Sequence, residues 1–103
     1  MEPTRALSGR IMSITQPLFP LGRIVATSHL LAVVSNHDIQ IGLNRHMIGD
    51  WGELDQDDRE ASDQAVLEAS RILSAYDSSE QVRFWIITEW DRSSTTVLLP
   101  EDY

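Results

Sequence analysis

The chain has 103 residues, 42% hydrophobic and 23% charged, which is the size of one domain with near-average globular composition and excludes a collagen-like repeat or a wholly disordered tail. Sixteen acids against eight bases, all arginine, give a net charge of −8, a sign that disfavours direct binding of DNA or RNA. With no cysteine, disulfide frameworks, thiolate metal sites and thiol nucleophiles are excluded.

Residues 1–20 show no sustained period, hold three of the four prolines and end in Pro17-Leu18-Phe19-Pro20, which predicts an extended or flexible N-terminal arm, with Ile11, Met12, Ile14, Leu18 and Phe19 available to dock on the body. No basic start followed by an apolar stretch marks a signal peptide, and no run approaches the roughly 18 apolar residues of a membrane span, so the expectation is a cytoplasmic protein. Residues 21–103 read as one compact domain. Leu21 to Ala26 predicts a short strand, and Thr27 or Ser28 offers an N-cap for a short helix through Val34.

Ile39, Ile41 and Leu43 then alternate as in a strand, whereas Ile39, Leu43 and Met47 repeat every four residues as in a helix; a helix over 38–48 is favoured, because Asp38 can cap it and Gly49 can close it in a left-handed turn. Asp57 with Glu60 reads as a capping box opening a long helix. Its apolar stripe gathers Ala61, Ala65, Val66, Ala69, Ile72, Leu73 and Tyr76, while Leu67 falls outside it among Glu60, Asp63, Gln64, Arg71 and Ser74. Val82 to Trp90 and Thr95 to Leu99 are β-branched and aromatic, predicting a hairpin that turns at residues 91–94. One hairpin face, with Val82, Phe84, Ile86 and Trp90, is expected against the long helix. The fold class is α+β, a small antiparallel sheet of about three strands with two to three helices on one side.

Tests for chemistry mostly fail. His29, His37 and His46 are eight and nine residues apart, not at the helical spacing of a metal pair, and the acidic run from Asp50 lacks the glycine and glutamate of a calcium loop. No phosphate-binding glycine loop or nucleophile elbow occurs. The expectation is therefore a non-enzyme without metal or cofactor, the alternative being a small carboxylate-dependent hydrolase built on Glu89 and Asp91. Arg92 and Asp91 read first as residues that hold their own turn.

Charge is unevenly spread. Residues 1–48 sum to +2 and residues 49–103 to −10, and the stretch 50–63 holds seven acids and one arginine, net −6. Acids in a first helical turn complement the helix dipole, which accounts for Asp57, Asp58 and Glu60 but not for Asp50, Glu53, Asp55 and Asp63. Carboxylates so arrayed can occupy arginines and lysines that otherwise hold phosphates. The expected contacts of a basic protein partner are Asp50, Trp51, Glu53, Asp55, Asp58, Asp63 and Leu67, Trp51 serving as a hot spot if exposed and as a wedge under the long helix if buried.

The strings LGRIVAT, RHMIGDWGELDQDD, RILSAY and WIITEWDRSSTTVLLPEDY, within residues 21–103, resemble a widespread family of small proteins of plasmids, phages and other bacterial mobile elements. One member of that family is identified as an anti-CRISPR protein that inhibits the type II-A CRISPR effector nuclease. The resemblance implies a bacterial host cell and stoichiometric binding of that nuclease, with or without guide RNA, and carries over no functional residues. Trp90 stands where a small side chain usually separates the glutamate and aspartate of the hairpin turn. The alternative partner is another basic host protein, with this chain as a general interaction module.

Overall fold

The computed structural model describes residues 16–103, so the arm expected over 1–20 lies outside the description up to residue 15. The elements run β1 (Arg23–Ala26), α1 (Ser28–Val33), α2 (Asn36–Met47), α3 (Gln56–Glu68), β2 (Ile72–Asp77), β3 (Arg83–Thr88) and β4 (Ser94–Leu98), with a 3-10 turn at Pro100–Asp102. This is an α+β fold on a mixed four-stranded sheet in the order β1-β4-β3-β2. The sheet is one strand larger than expected, and β1 joins β4 in parallel while the other two pairings are antiparallel.

The fourth strand comes from the C-terminal part of the expected long helix. Residues 72–76 satisfy a helical stripe, yet α3 stops at Glu68, where Ala69 takes the left-handed conformation (φ 54°, ψ 49°). Six consecutive residues from Ile72 to Asp77 then pair with Thr88 to Arg83. In that register Ile72, Ser74 and Tyr76 share a face with Phe84, Ile86 and Thr88 and with Thr95 and Val97. Tertiary pairing on a buried sheet outweighs the weak intrinsic helical preference of Ile72-Leu73-Ser74-Ala75-Tyr76.

Of the hairpin face expected against the long helix, Val82, Phe84 and Ile86 do pack inward, but on α1 and α2, and Trp90 is not part of it. Phe84 and Ile86 are buried with Tyr76 and Val97 against Leu30 of α1, Val34, and Ile39 and Leu43 of α2. Trp90 lies beyond β3 and is 63% exposed. Helix α3 instead runs beside β2, where the Ser62 hydroxyl donates to the Leu73 carbonyl at 2.8 Å. A second cluster fills the space there, from Phe19, Trp51, Leu54, Ala65, Ile72 and Ala75, so that Phe19 at the end of the expected arm belongs to the core.

Caps follow the local chemistry. Thr27 caps α1 as expected, its hydroxyl accepting from the Leu30 amide, while α2 is capped three residues before Asp38 by Ser35. Helix α3 is capped by Asp55, not Asp57: its carboxylate accepts from the Asp58 amide at 2.9 Å. Gly49 closes α2 at φ 86°, as expected. Gly52 (φ 75°) bridges Ala75 in parallel, with the Ala75 amide donating to the Trp51 carbonyl and the Glu53 amide to the Ala75 carbonyl, so residues 51–53 occupy the outer edge of β2.

Two left-handed positions have opposite mutational signs. Ala69→Gly relieves a Cβ penalty and is expected to stabilise by about 0.5–1 kcal/mol. Gly52→Ala drives a Cβ into the Ala75 carbonyl and the Tyr76 ring and is expected to destabilise by about 3 kcal/mol or more. Urea unfolding followed by tryptophan fluorescence measures both.

Candidate protein-binding face

The site is the loop 50–55 and the outer surface of α3. Counting about 100° per residue, Ser62, Ala65 and Val66 point inward, and the opposite face carries Asp57, Glu60, Asp63, Gln64, Leu67 and Glu68. Leu67 is 81% exposed, the most exposed large apolar side chain among the described residues. Four ion pairs occur among those residues: His29–Asp102, Arg45–Asp50, Arg71–Glu89 and Arg83–Asp77. None involves a carboxylate of α3. Arg59, the one cation on the helix, reaches Gln56 and no acid among the described residues.

The seven residues singled out from sequence divide by what they touch. Asp50 is committed to structure: Arg45 grips it through Nε and Nη2 at 2.7 and 3.1 Å, and it accepts from the Gly52 amide. The guanidinium and that amide hold its carboxyl below the usual carboxylate range. Asp55 is occupied as the α3 cap. Trp51 does not belong to the surface: it is 4% exposed, stacked on Phe19 and edge-on to His46, and its indole N–H donates to Asp63 at 2.8 Å. It is the wedge beside the long helix, not an exposed hot spot. Glu53, Asp58, Asp63 and Leu67 are exposed.

Asp57, Glu60 and Glu68 join this face and were not among the expected contacts. In the sequence the first two are accounted for by the helix dipole, and Glu68 lies in a helix expected to continue past it. The missed signal is the wheel itself, because these acids fall in the half of it turned away from Ser62, Ala65 and Val66 whether or not they also complement a helix start.

Arg92 fixes the C-terminal end of the face. Its residue is left-handed (φ 60°), and its guanidinium donates to the carbonyls of Ala65, Ser70 and Glu89 while lying 5.6 Å over the Phe19 ring. A cation on the last carbonyls of a helix complements the dipole. Arg92 meets the backbone of Glu89, whose side chain pairs with Arg71, and Asp91 accepts from the Ser93 amide at 3.0 Å. Both Glu89 and Asp91 are therefore engaged in holding the hairpin end.

Behind the face runs a buried polar chain. His46 Nδ1 meets the Ser74 hydroxyl, His46 Nε2 meets Thr88 Oγ1 at 2.9 Å, Thr88 Oγ1 meets Thr95 Oγ1 at 2.7 Å, and Thr95 donates to the Leu21 carbonyl at 2.7 Å. His46, Ser74, Thr88 and Thr95 are all 0% exposed. A serine hydroxyl on an imidazole has the outline of a nucleophile and its base, but no substrate reaches a pair so enclosed. Among the described residues no pocket opens to the surface, no group of three His, Asp or Glu side chains converges on a metal position, and no helix is long and apolar enough to cross a membrane. No family model, curated protein or solved structure matches the chain.

Burial pushes the His46 imidazole down to about 3. An unfolded chain binds this proton near 6.5, so the stability that depends on neutral His46 is intact above pH 6.5 and is lost as pH falls from 6.5 toward 3. The expected slope approaches about 1.4 kcal/mol per pH unit between 6 and 4, before the hydrogen-bonded carboxylates of Asp38, Asp50 and Asp77 add theirs. Urea titrations across this range check it, and His46→Gln should flatten the slope above pH 5.

Proposed function

We propose that the protein acts by stoichiometric binding of a basic protein surface through the outer face of α3, and that the target is a type II-A CRISPR effector nuclease in a bacterial host cell. The observation that carries the first half is the separation of charge: every cation in an ion pair among the described residues is spent elsewhere, while Asp57, Glu60, Asp63 and Glu68 face solvent around Leu67. Carboxylates that meet no cation among the described residues keep their net charge for a partner, and an apolar side chain in their midst supplies area that water leaves on docking. The sequence resemblance to the mobile-element family supports the target. That nuclease holds an RNA–DNA heteroduplex in a basic channel and reads the flanking motif with arginines, which are surfaces of the required sign.

The test is target cleavage by the preassembled nuclease–guide complex, titrated with the full chain. Cleavage is expected to stop near one-to-one stoichiometry. The double variant Asp57→Arg/Glu60→Arg should need at least about tenfold more protein, because reversed charges meet a cationic surface. Both residues are exposed and neither caps the helix, so the fold is expected to survive the loss of their dipole complement, and circular dichroism of the variant checks it. Raising salt to about 0.5 M should weaken the complex by screening. Unimpeded cleavage at large excess overturns the target, and inhibition indifferent to the double variant overturns the face.

A further inference from the structure

The sheet ends differently on its two sides. Residues 51–53 occupy the outer edge of β2, whereas β1, at the other end, has no partner on its outer side among the described residues. Its Ile24 and Val25 are 50% and 37% exposed, on opposite faces of the strand. Edge strands are commonly blunted by proline, bulges or clustered charge. The sequence Arg23-Ile24-Val25-Ala26-Thr27 has one charge, at its start, and no proline.

We propose that this edge pairs with β1 of a second copy of the chain, joining two sheets into one across a twofold axis. Electrostatics selects that occupant's approach. Asp38 is the one acid between residues 16 and 49, and residues 23–35 contain none, while the acids of 50–68 sit beside β2 at the far end of the sheet. Asp102, brought near α1, is bonded to His29 at 3.1 Å. Two copies, each of charge −8, therefore meet least repulsion edge to edge at β1, with both α3 faces turned outward and free.

Backbone direction fixes the register. The Arg23 amide donates to Ser93 at 3.0 Å and the Thr27 amide to Val97 at 3.1 Å, so alternate residues point into the sheet and the peptide groups of Ile24 and Ala26 point out. With the axis at Val25, Ile24 of each copy faces Ala26 of the other and exchanges both N–H···O bonds with it. Val25 meets Val25 in the close, non-hydrogen-bonded pair, and Arg23 faces Thr27, so no like charges oppose. Such a contact is isologous and closed. Helix α1, joined directly to β1, adds Leu31 and Val33, 52% and 42% exposed, to the apolar surface of this end.

The experiment is sedimentation equilibrium of the full chain between about 5 and 500 µM, a range suited to a small interface. The weight-average mass is expected to rise from 11.7 kDa toward twice that value, and more readily at about 0.5 M salt, where the repulsion of two acidic chains is screened. Salt thus acts oppositely on this contact and on the acidic-face complex, and either can fail without the other. Val25→Lys sets two ammonium groups against each other and should weaken pairing at least about tenfold, while mixing Val25→Lys with Val25→Glu should restore a mixed dimer. On the unaltered chain, hydrogen exchange of the Ile24 and Ala26 amides should slow as concentration rises. A constant mass of 11.7 kDa, pairing unchanged by Val25→Lys, or exchange at those amides independent of concentration overturns the proposal.

Discussion

The buried chain from Ser74 to Leu21 is the constraint on which the rest of the packing depends, and its direction follows from one end. The Leu21 carbonyl can only accept, so Thr95 donates to it and must accept from Thr88. Thr88 then has no hydrogen left for His46 and accepts from Nε2–H, which leaves Nδ1 unprotonated to accept from the Ser74 hydroxyl. A single tautomer satisfies every member, and protonation of Nδ1 would turn the Ser74 hydroxyl into an acceptor and set a charge in an enclosed site. The line crosses α2, β2, β3, β4 and the segment leading into β1. Each member left unpaired would cost roughly 1–3 kcal/mol, so the helix and three strands are locked in one register.

Around that chain, aromatic side chains exclude water and join the two core clusters. Phe19 meets His46 edge-on at 5.3 Å and stacks on Trp51 at 6.4 Å, with the Arg92 guanidinium 5.6 Å from its ring centre. Trp51 then places its indole N–H on Asp63, so the acidic helix is tied to the same assembly that keeps His46 neutral. The loop that covers the β2 edge, the anchor of α3 and the shielding of the histidine are thus one piece of packing. The covered edge and the acidic face occur together because residues 50–55 supply both.

Local signals were legible in the sequence where they were chemically specific. The strand at Arg23–Ala26, the Thr27 cap, the glycine closing α2 and the C-terminal hairpin all appear as read, because β-branched runs, cap hydroxyls and left-handed glycines have few competing uses. What failed was the division of 57–76. Alanines at 61, 65 and 69 give a helical stripe that runs without a break into Ile72, Leu73 and Tyr76, and no glycine or proline marks the stop; Ala69 turns left-handed without one. Only the pairing of β2 with β3 decides it, and pairing is not written locally. Trp51 was ambiguous for a related reason, since burial depends on Phe19, thirty-two positions away. The expected acidic contacts are largely exposed, but the two at the ends of the loop, Asp50 and Asp55, are engaged in an ion pair and a cap that sequence spacing alone does not distinguish from free carboxylates.

The charge of α3 is not what stability alone would select. Asp57, Glu60 and Asp63 follow one another at helical spacing, and like charges three or four residues apart each cost an isolated helix roughly 0.2–0.5 kcal/mol. At position 64, between Glu60 and Glu68, a lysine or arginine would pair with both. The residue there is Gln64, which donates to Glu68 at 3.2 Å and leaves both charges in place. The helix is held instead from beneath and from its end, by Ser62 on the Leu73 carbonyl, Trp51 on Asp63 and Arg92 on the Ala65 carbonyl. Anchors of this kind stabilise the helix without neutralising its outer face, and that combination suits a surface whose charge is to be met by another protein.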